Sequence, residues 1–507
     1  MRIYIYIFML IFLTFSCDDF LEQYPMDGLV LEEYWQNKED LYSVLDGAYA
    51  AFSELDSRLF LNGEMRGDML VAGANVSNYQ KGVIELIMES NILASNAFCD
   101  WADFYKVINY CNYIIKYAPI IKERDNTFSE YYMQAAIAEA TALRSLIYFY
   151  LVRIYKDVPY VTWATESDAV DLFPAKTDGD TILYSIIDDL VTSSMIEKIP
   201  DYYGSIDETK GRFTRYAAYA LIADIALWQY DYDLAIEYIE KIEESPDYFL
   251  VSNNDWYNLF AQGNLYESLF ELQMSTSGSN PNRLFGLTVN TTLQYFKASE
   301  YAEDLFLGTS SGSQNESLEK TRKEGTLLKD DFGGYKVYKY IGTKSSGKSN
   351  VGYLRSDDYG DANFIIYRYA DIMLMKAEAL TQKAVPEYEE ALELINTIRV
   401  RANVLPIDLD DFSSSQKEAE EYILEERALE LAYEGKRWFD LLRYARRNDY
   451  ANKDEFISLI LENVSPSQRL IMASRLKNVE GWYLPIYQDE IDNNPNLTQN
   501  PYYVTVN

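Results

Sequence analysis

One stretch of thirty residues limits the folds open to this chain more than any other feature. Residues 217–246 read AAYALIADIALWQYDYDLAIEYIEKIEESP. Apolar residues recur at three- and four-residue spacing on both sides of the polar turn YDYD, which predicts two helices joined as a hairpin. Such a hairpin cannot bury its apolar faces alone and has to stack on other helices. The stretch therefore predicts a mainly α-helical fold.

The hairpin has the spacing of a tetratricopeptide repeat, and a looser copy follows later in the chain. Ile222 and Ala223 fall where that repeat places its apolar pair, and Ala235 falls where it places the alanine of its second helix. The copy starts at Tyr369 and has a longer turn that holds Pro386. We predict a scaffold of tetratricopeptide-like helical hairpins.

Between the two hairpins, residues 247–365 lose this periodicity. The clusters SGSNPNRLFG, GTSSGSQNES and GTKSSGKSN separate short aromatic and β-branched runs, as loops and hairpins do. We predict a loop-rich insertion in the helical frame. Irregular segments held by a rigid scaffold often carry recognition surfaces.

Near the carboxy terminus, apolar residues recur every three or four positions over residues 424–445, which predicts one continuous helix with a buried face. Gly435 lies inside this pattern. Because glycine costs about 1 kcal/mol relative to alanine in a helix interior, it indicates close packing or a bend there. Lateral ion pairs are expected between Arg427 and Glu430 and between Glu434 and Arg437.

The composition excludes several functions. The chain has 45 basic and 80 acidic residues, a formal charge of -35, so it repels phosphate backbones and is not expected to bind nucleic acid. The same charge opposes attachment to an anionic bilayer by electrostatics alone. The chain has no histidine, which excludes Ser-His-Asp triads and histidine-ligated metal or haem sites.

The amino terminus predicts export. After Met1 and Arg2, residues 3–15 form an uncharged apolar run. As a helix it would extend about 20 Å, too short for a bilayer core of about 30 Å, so it is typical of a signal peptide. The run ends at Cys17 and resembles a bacterial lipobox, although Thr14 stands where leucine is usual. The alternative is a plain secretory signal with an incidental cysteine.

The other two cysteines, Cys99 and Cys111, lie twelve positions apart around an apparently helical segment. On one helix they would be about 18 Å apart, too far for a disulfide bond. We predict two buried free thiols.

Six stretches spread along the chain carry a resemblance to one family. They are CDDFLEQYP from residue 17, WADFYKVINYCN from 101, LRSLIYFYLVRIYKDVPYV from 143, NFIIYRYADIMLMKAEAL from 363, EERALELAYEGKRWFDLLRYAR from 425 and WYLPIYQDEIDNNPNLTQNPYY from 482. Together they resemble the SusD/RagB family of outer-membrane nutrient-binding lipoproteins of Bacteroidetes, in the same order and over essentially the whole chain.

The resemblance implies a mostly helical protein on the cell surface, anchored in the outer membrane through an acylated Cys17. It also implies a non-enzymatic role, in which the protein captures oligosaccharide, or sometimes peptide, for a SusC-like TonB-dependent transporter. In the family, acidic residues after the cysteine act as a surface-export signal. The expected organisation is a signal peptide at 1–16, the acylated cysteine and tether at 17–29, and one SusD-like domain at 30–507.

In that family, ligand contacts come largely from a loop before the Trp101-type helix and from the irregular insertion. The loop maps onto NGEMRGDMLVAGANVSNY, residues 62–79. Polar and aromatic side chains suit sugars, which present both hydroxyls and C–H faces. The alternatives are turn formation and burial in a local cluster. The candidate ligand-binding residues are Arg66, Asp68, Asn75, Tyr79, Asn96, Trp256, Tyr295 and Tyr335.

Three other interpretations stay open from the residues. The acidic stretch DDYGD offers Asp357, Asp358 and Asp361 to a calcium ion, but it lacks EF-hand spacing, so a solvated loop and no cofactor are predicted. A surface glycoside hydrolase would need two carboxylates facing one bond, and sequence alone does not identify such a pair. A peptide-binding or protein-interaction scaffold would use the hairpins and have no sugar site.

Overall fold

A computed structural model describes residues 34–73, 78–166, 170–275, 280–288, 295–308, 320–329, 333–342 and 360–504. The predicted signal peptide and tether, with the proposed lipidation site Cys17, lie outside these ranges. So do the candidate ligand residue Asn75 and the candidate calcium ligands Asp357 and Asp358.

Helices dominate the described part of the chain. In the first half they are α1 (Lys38–Ser53), α2 (Asp56–Glu64), α3 (Asn78–Met88), α4 (Ala102–Arg124), α5 (Glu130–Tyr155), α6 (Gly179–Ile187), α7 (Ile206–Gly211), α8 (Arg215–Trp228), α9 (Tyr232–Glu243) and α10 (Asn258–Ala261). In the second half they are α11 (Leu284–Thr288), α12 (Glu300–Leu307), α13 (Lys320–Thr326), α14 (Tyr369–Gln382), α15 (Tyr388–Arg401), α16 (Leu409–Phe412), α17 (Gln416–Glu430), α18 (Arg437–Tyr450), α19 (Lys453–Glu462), α20 (Pro466–Leu476), α21 (Gln488–Asn493) and α22 (Pro501–Val504).

The strands are short and form antiparallel pairs. They are β1 (Leu70–Ala72), β2 (Val158–Pro159), β3 (Lys176–Thr177), β4 (Ser268–Leu272), β5 (Phe296–Ala298), β6 (Leu327–Lys329), β7 (Tyr335–Val337) and β8 (Phe364–Arg368). The pairs are β1–β5, β2–β3, β4–β8 and β6–β7. The prediction of a mainly α fold is confirmed.

The predicted hairpin over residues 217–246 is confirmed as α8 and α9, which pack against each other. The turn ends at Asp231, whose carboxylate caps α9 by accepting a hydrogen bond from the amide of Leu234 at 3.1 Å. The second predicted hairpin is α14 and α15. Helix α14 also packs on α9 and α17, and a separate small apolar core lies among α14, α15 and α17. The hairpins therefore stack, as their unpaired apolar faces require.

Helix α5 forms the centre of the amino-terminal half. Among the described helices it alone is long and apolar enough to cross a membrane, but its most apolar 18 residues are all buried inside the protein. It packs against α4, and Ser129 caps its first turn. We interpret α5 as a core helix. Cys99 and Cys111 are buried and free, as predicted.

The prediction of one continuous helix over residues 424–445 is wrong. Helix α17 ends at Glu430 and α18 begins at Arg437. Gly435, with φ of +74°, lies in the connecting turn. A Cβ atom added to Gly63 would lie 1.8 Å from the carbonyl oxygen of Gly435. The close packing indicated by Gly435 is therefore present, but it breaks the helix because two backbones meet there without side chains.

The expected lateral ion pairs along this helix are also absent, because each charge has a partner on another element. Arg427 pairs with Asp371 at 3.0 Å, and Arg437 pairs with Asp68 at 2.6 Å. Glu434 accepts from Arg368 at 2.8 Å. Tertiary contacts outcompete the i,i+3 pairs, which are worth only a few tenths of a kcal/mol.

Candidate ligand-binding site

Arg66 and Asp68, two of the predicted ligand contacts, lie inside the protein. The guanidinium of Arg66 donates to the carbonyl oxygens of Trp482 at 2.6 Å and Gly481 at 2.8 Å. The carboxylate of Asp68 accepts two hydrogen bonds from Arg437, at 2.8 and 2.6 Å. Both side chains are buried. They hold the carboxy-terminal segments in place and do not present their polar atoms to solvent.

Asn96 and Trp256 take the structural alternatives too. The amide oxygen of buried Asn96 accepts a hydrogen bond from the backbone of Phe98 at 3.0 Å and caps a short 3-10 turn. Trp256 is buried, and its indole nitrogen donates to the carboxylate of Glu430 at 3.1 Å. These two side chains serve turn formation and core packing. Of Tyr79, only the backbone within helix α3 is described.

The structure brings the predicted loop and the predicted insertion together. Strand β1 pairs with β5 in the register Leu70↔Ala298, and the amide of Gly73 donates to the carbonyl oxygen of Tyr295 at 2.7 Å. Tyr295 is half-buried beside this junction. Tyr335 is also half-buried, on β7, which lies next to β5. Two of the eight candidate residues, Tyr295 and Tyr335, therefore lie in one region.

A cleft opens beside β1. Its walls are β1, helix α3 with the residue after it, and the connection between α19 and α20, and it encloses about 190 Å³. Met88 and Met472 contribute apolar surface. The polar residues that line this space, here named the β1 cleft, are Glu85, Glu89, Asn463, Ser465 and Gln468.

The polar side chains of the β1 cleft are held in place by neighbouring groups. Gln468 donates from its side-chain amide to the carboxylate of Glu89, whose backbone oxygen accepts from Arg475 at 3.1 Å. Asn463 donates to the carbonyl oxygen of Asp68. Side chains fixed before binding lose less rotamer entropy when a ligand arrives.

The electrostatics at this end of the molecule favour hydrogen-bond donors over anions. Glu85 and Glu89 face the cleft, and Glu462 ends the neighbouring helix α19. Partial burial raises the pKa of Glu462, and the nearby carboxylate of Asp68 raises it further. Carboxylate and amide oxygens beside an apolar wall suit a ligand that carries several hydroxyl groups and no negative charge.

Sequence reasoning missed the polar wall of the β1 cleft. Asn463, Ser465 and Gln468 belong to a segment that shows no unusual pattern. They reach the cleft because α19 and α20 fold back against residues near the amino-terminal end, as shown by the contact between Asn463 and Asp68. No local signal in the sequence identifies such a contact.

The described ranges contain no group of three or more carboxylate, thiol or imidazole side chains that could hold a metal ion. Of the candidate calcium ligands, only Asp361 lies within these ranges, so that alternative remains an untested prediction.

Comparison with known sequences identifies the family. A profile of the SusD family matches residues 228–503, and a profile described as "Starch-binding associating with outer membrane" matches residues 19–227. The chain is 26% identical over 467 residues to SusD-like protein P38 of Formosa agariphila, covering 84% of this chain and 88% of the relative. It is 24% identical over 473 residues to a SusD-like protein of Bacteroides ovatus, covering 85% of this chain and 80% of the relative.

Solved structures share the fold. Surface glycan-binding protein A from Bacteroides uniformis superposes with a TM-score of 0.73 at 21% identity, covering 92% of this chain and 100% of that protein. A laminarin-binding SusD-like protein superposes with a TM-score of 0.70, also at 21% identity and with the same coverage. These matches confirm the resemblance, and the chain belongs to the SusD/RagB family.

Proposed function

We propose that this chain is a cell-surface, lipid-anchored glycan-binding protein that captures oligosaccharide and delivers it to a SusC-like TonB-dependent transporter. Membership of the SusD/RagB family supports this proposal, as do the family description that includes association with the outer membrane and the two structural neighbours named for glycan and laminarin binding. The proposed role is binding without turnover and without a cofactor.

The observation that carries the proposal is the β1 cleft at the junction of loop and insertion. Strand β1, helix α3 and helix α20 come from different parts of the chain, yet they line one space with an apolar wall and a carboxylate and amide rim. A sugar ring places its C–H groups against the apolar wall, and its hydroxyls donate to Glu89 or hydrogen-bond with Gln468. Tyr295, whose carbonyl oxygen accepts from Gly73 just after β1, is a candidate for further contact.

The test of binding uses the protein truncated to begin after Cys17. Calorimetry against plant, microbial and host glycans measures affinity, and a reducing-end assay on the same samples measures turnover. We expect saturable binding to at least one neutral oligosaccharide with no product. Product formation would indicate a hydrolase, and binding to peptides alone would indicate the scaffold alternative.

The test of the site uses Glu89→Ala and Gln468→Ala. Loss of a hydrogen bond to a charged or amide group is expected to weaken glycan affinity about tenfold. Glu237→Ala, which removes an exposed carboxylate on α9, is the matched control and is expected to bind as the parent protein does. If both cleft variants keep full affinity, the β1 cleft is not the capture site.

The anchor has its own test. In the full-length chain, Cys17→Ser removes the only acyl acceptor of the proposed lipobox, so the protein is expected to leave the outer-membrane fraction. Fractionation of cells that express either form measures this directly. A serine variant that stays fully in the membrane fraction would contradict lipid anchoring. Co-purification of the wild-type protein with a TonB-dependent transporter tests the proposed partner.

A further inference from the structure

Phe249 and Tyr266 form an exposed, parallel pair of rings in the insertion. Their centroids lie 5.1 Å apart and their planes differ by 18°. Phe249 is 47% exposed and Tyr266 is 58% exposed. They contribute no lining to the β1 cleft.

A buried link joins the two chain segments that carry these rings. Two residues after Phe249, the amide of Val251 donates to the carboxylate of Glu267 at 2.9 Å. Glu267 directly follows Tyr266, is fully buried, and pairs with Arg368 at 2.6 Å. The backbones of both segments are therefore fixed to the interior of the protein.

A second link joins the same two segments. The ammonium group of Lys210 donates to the carbonyl oxygen of Ser268 at 2.6 Å and lies 4.2 Å from the centroid of the Tyr248 ring. Tyr248 precedes Phe249, and Ser268 follows Glu267. With two links, the segments are held together independently of any contact between the exposed rings.

A second exposed aromatic pair shows what is particular about the first. Tyr131 and Tyr132, in the first turn of α5, are 64% and 55% exposed, with ring centroids 5.4 Å apart. Their planes cross at 72°, so each ring presents its edge to the other. In that arrangement the ring faces point in crossed directions, whereas the Phe249 and Tyr266 rings stack nearly parallel and each has an outer face that the other does not cover.

We propose that Phe249 and Tyr266 form a second glycan-contact site, separate from the β1 cleft, that takes the C–H face of a neutral pyranose ring. Parallel, exposed and prepositioned aromatic rings provide apolar surface for such a face at low entropic cost. Asp247 and Gln262, which lie close to the rings in the chain, are exposed and offer hydrogen-bonding groups for sugar hydroxyls.

The charge of the protein decides between glycan classes. With a formal charge of -35, the chain repels polyanionic polysaccharides built from uronates or sulfated sugars. The second site therefore favours neutral chains. A chain long enough to reach both sites binds with a higher overall affinity than a short oligosaccharide, because the second contact becomes intramolecular.

This inference rests on the proposed function, and one experiment tests both. The protein beginning after Cys17 is run in native gels that contain laminarin, xylan, galactomannan or amylopectin, with alginate as the anionic comparison. The retardation gives an affinity for each polysaccharide. The variants are Phe249→Ala with Tyr266→Ala, the matched control Tyr131→Ala with Tyr132→Ala, and the cleft variant Glu89→Ala.

We expect at least one neutral polysaccharide to retard the parent protein and the Tyr131/Tyr132 control equally. The Phe249/Tyr266 variant is expected to bind it about tenfold more weakly. If the Phe249/Tyr266 variant binds like the parent while Glu89→Ala binds poorly, the second site is overturned and the proposed function stands. If no glycan retards the parent protein, both fail. Normal glycan binding with lost transporter co-purification would also overturn the inference and make the pair a protein contact.

Discussion

Tyr266 and Glu267 are neighbours in the chain, but they lie in opposite environments. The tyrosine ring is 58% exposed, and the glutamate carboxylate is fully buried. Aromatic side chains usually lie inside proteins and unpaired carboxylates outside. At this point in the insertion, the charged group is in the interior and the aromatic group is at the surface.

The buried charge belongs to a connected set of ions around Arg368, here named the Arg368 cluster. The guanidinium of Arg368 donates to Glu267 at 2.6 Å, to Glu430 at 2.7 Å and to Glu434 at 2.8 Å, and it is fully buried. Burial opposes ionisation of Glu430, but the adjacent arginines outweigh it and hold its pKa well below the ordinary value. The other members of the cluster are Arg322, Lys339, Arg399, Arg401 and Glu426.

The comparison shows how the insertion can be both irregular and rigid. The Arg368 cluster joins the insertion to the frame, since Glu267 precedes β4, Arg368 ends β8, and Glu430 ends α17. Buried ion pairs add little net stability, but they fix the relative positions of the segments that carry them. An ion left without its partner in the interior costs several kcal/mol. The buried carboxylate of Glu267 therefore fixes the backbone that carries the exposed ring of Tyr266.

The largest expected effect comes from breaking the cluster. Arg368→Met removes one cationic partner from each of three buried carboxylates, so the free energy of unfolding is expected to fall by about 3–5 kcal/mol. Urea unfolding followed by circular dichroism measures this change. Lys241→Met is the control, because it removes an exposed i,i+4 pair with Glu237 worth about 0.3–0.5 kcal/mol. Similar losses in the two variants would contradict a structural role for the cluster.

A second buried carboxylate sharpens the comparison at acid pH. Burial alone would raise the pKa of Glu378, but Arg443 and Arg447 outweigh burial and lower it to about 2. A lowered folded-state pKa stabilises the protein above the ordinary value of 4.5, and this stability is lost as pH falls from 4.5 towards 2.

The free energy of unfolding of Glu378→Gln is therefore expected to depend less on pH in acid than that of the parent. Between pH 6 and pH 2 the variant is expected to lose about 3 kcal/mol less than the parent. Unfolding free energies of both proteins across this range measure it. Parallel curves for the parent and the variant would exclude this carboxylate as a source of acid sensitivity.

Glu64 is the opposite case, a buried acid that pairs with backbone amides. One carboxyl oxygen accepts from the amides of Gly435 at 2.8 Å and Lys436 at 3.1 Å, while the other has no hydrogen-bond partner. Burial raises the pKa of Glu64 to about 8. A raised folded-state pKa means that the folded protein holds a proton that the unfolded chain releases, so stability falls as pH rises from 4.5 towards 8.

Glu64→Gln keeps the shape of the side chain but cannot ionise. Because of Glu64, the free energy of unfolding of the parent protein is expected to fall by about 2 kcal/mol between pH 5 and pH 7, and this fall is expected to be absent in the variant. The difference between parent and variant unfolding free energies at the two pH values isolates the effect. A variant that loses stability with rising pH as steeply as the parent would show that Glu64 is ionised in the folded protein.

The smallest expected effect comes from the exposed side of the comparison. Phe249→Ala with Tyr266→Ala removes a solvent-exposed stacking contact, so the free energy of unfolding is expected to fall by at most about 1 kcal/mol. Thermal unfolding of this variant beside the Tyr131→Ala, Tyr132→Ala control measures it. A loss of several kcal/mol would assign the pair to the core and remove the reason to regard it as a ligand surface.

The sequence by itself determined the helical architecture and the family. Helical periodicity is a local property, so α8 with α9 and α14 with α15 were predictable from spacing alone. The free thiols agree with the prediction but not with its premise of one helix, because Cys99 ends a short 3-10 turn before α4 whereas Cys111 lies on α4. The six quoted stretches identify the SusD/RagB family because they occur in one order along the whole chain.

Only the tertiary structure decided where individual polar groups lie. Arg66 donates to Trp482, 416 positions away, and the loop pattern around Arg66 was compatible with a ligand contact or with burial. The same holds for the helix predicted over residues 424–445, which Gly63 and Glu64 interrupt from another element. Burial and pairing depend on contacts between distant segments, and a local pattern carries no information about them.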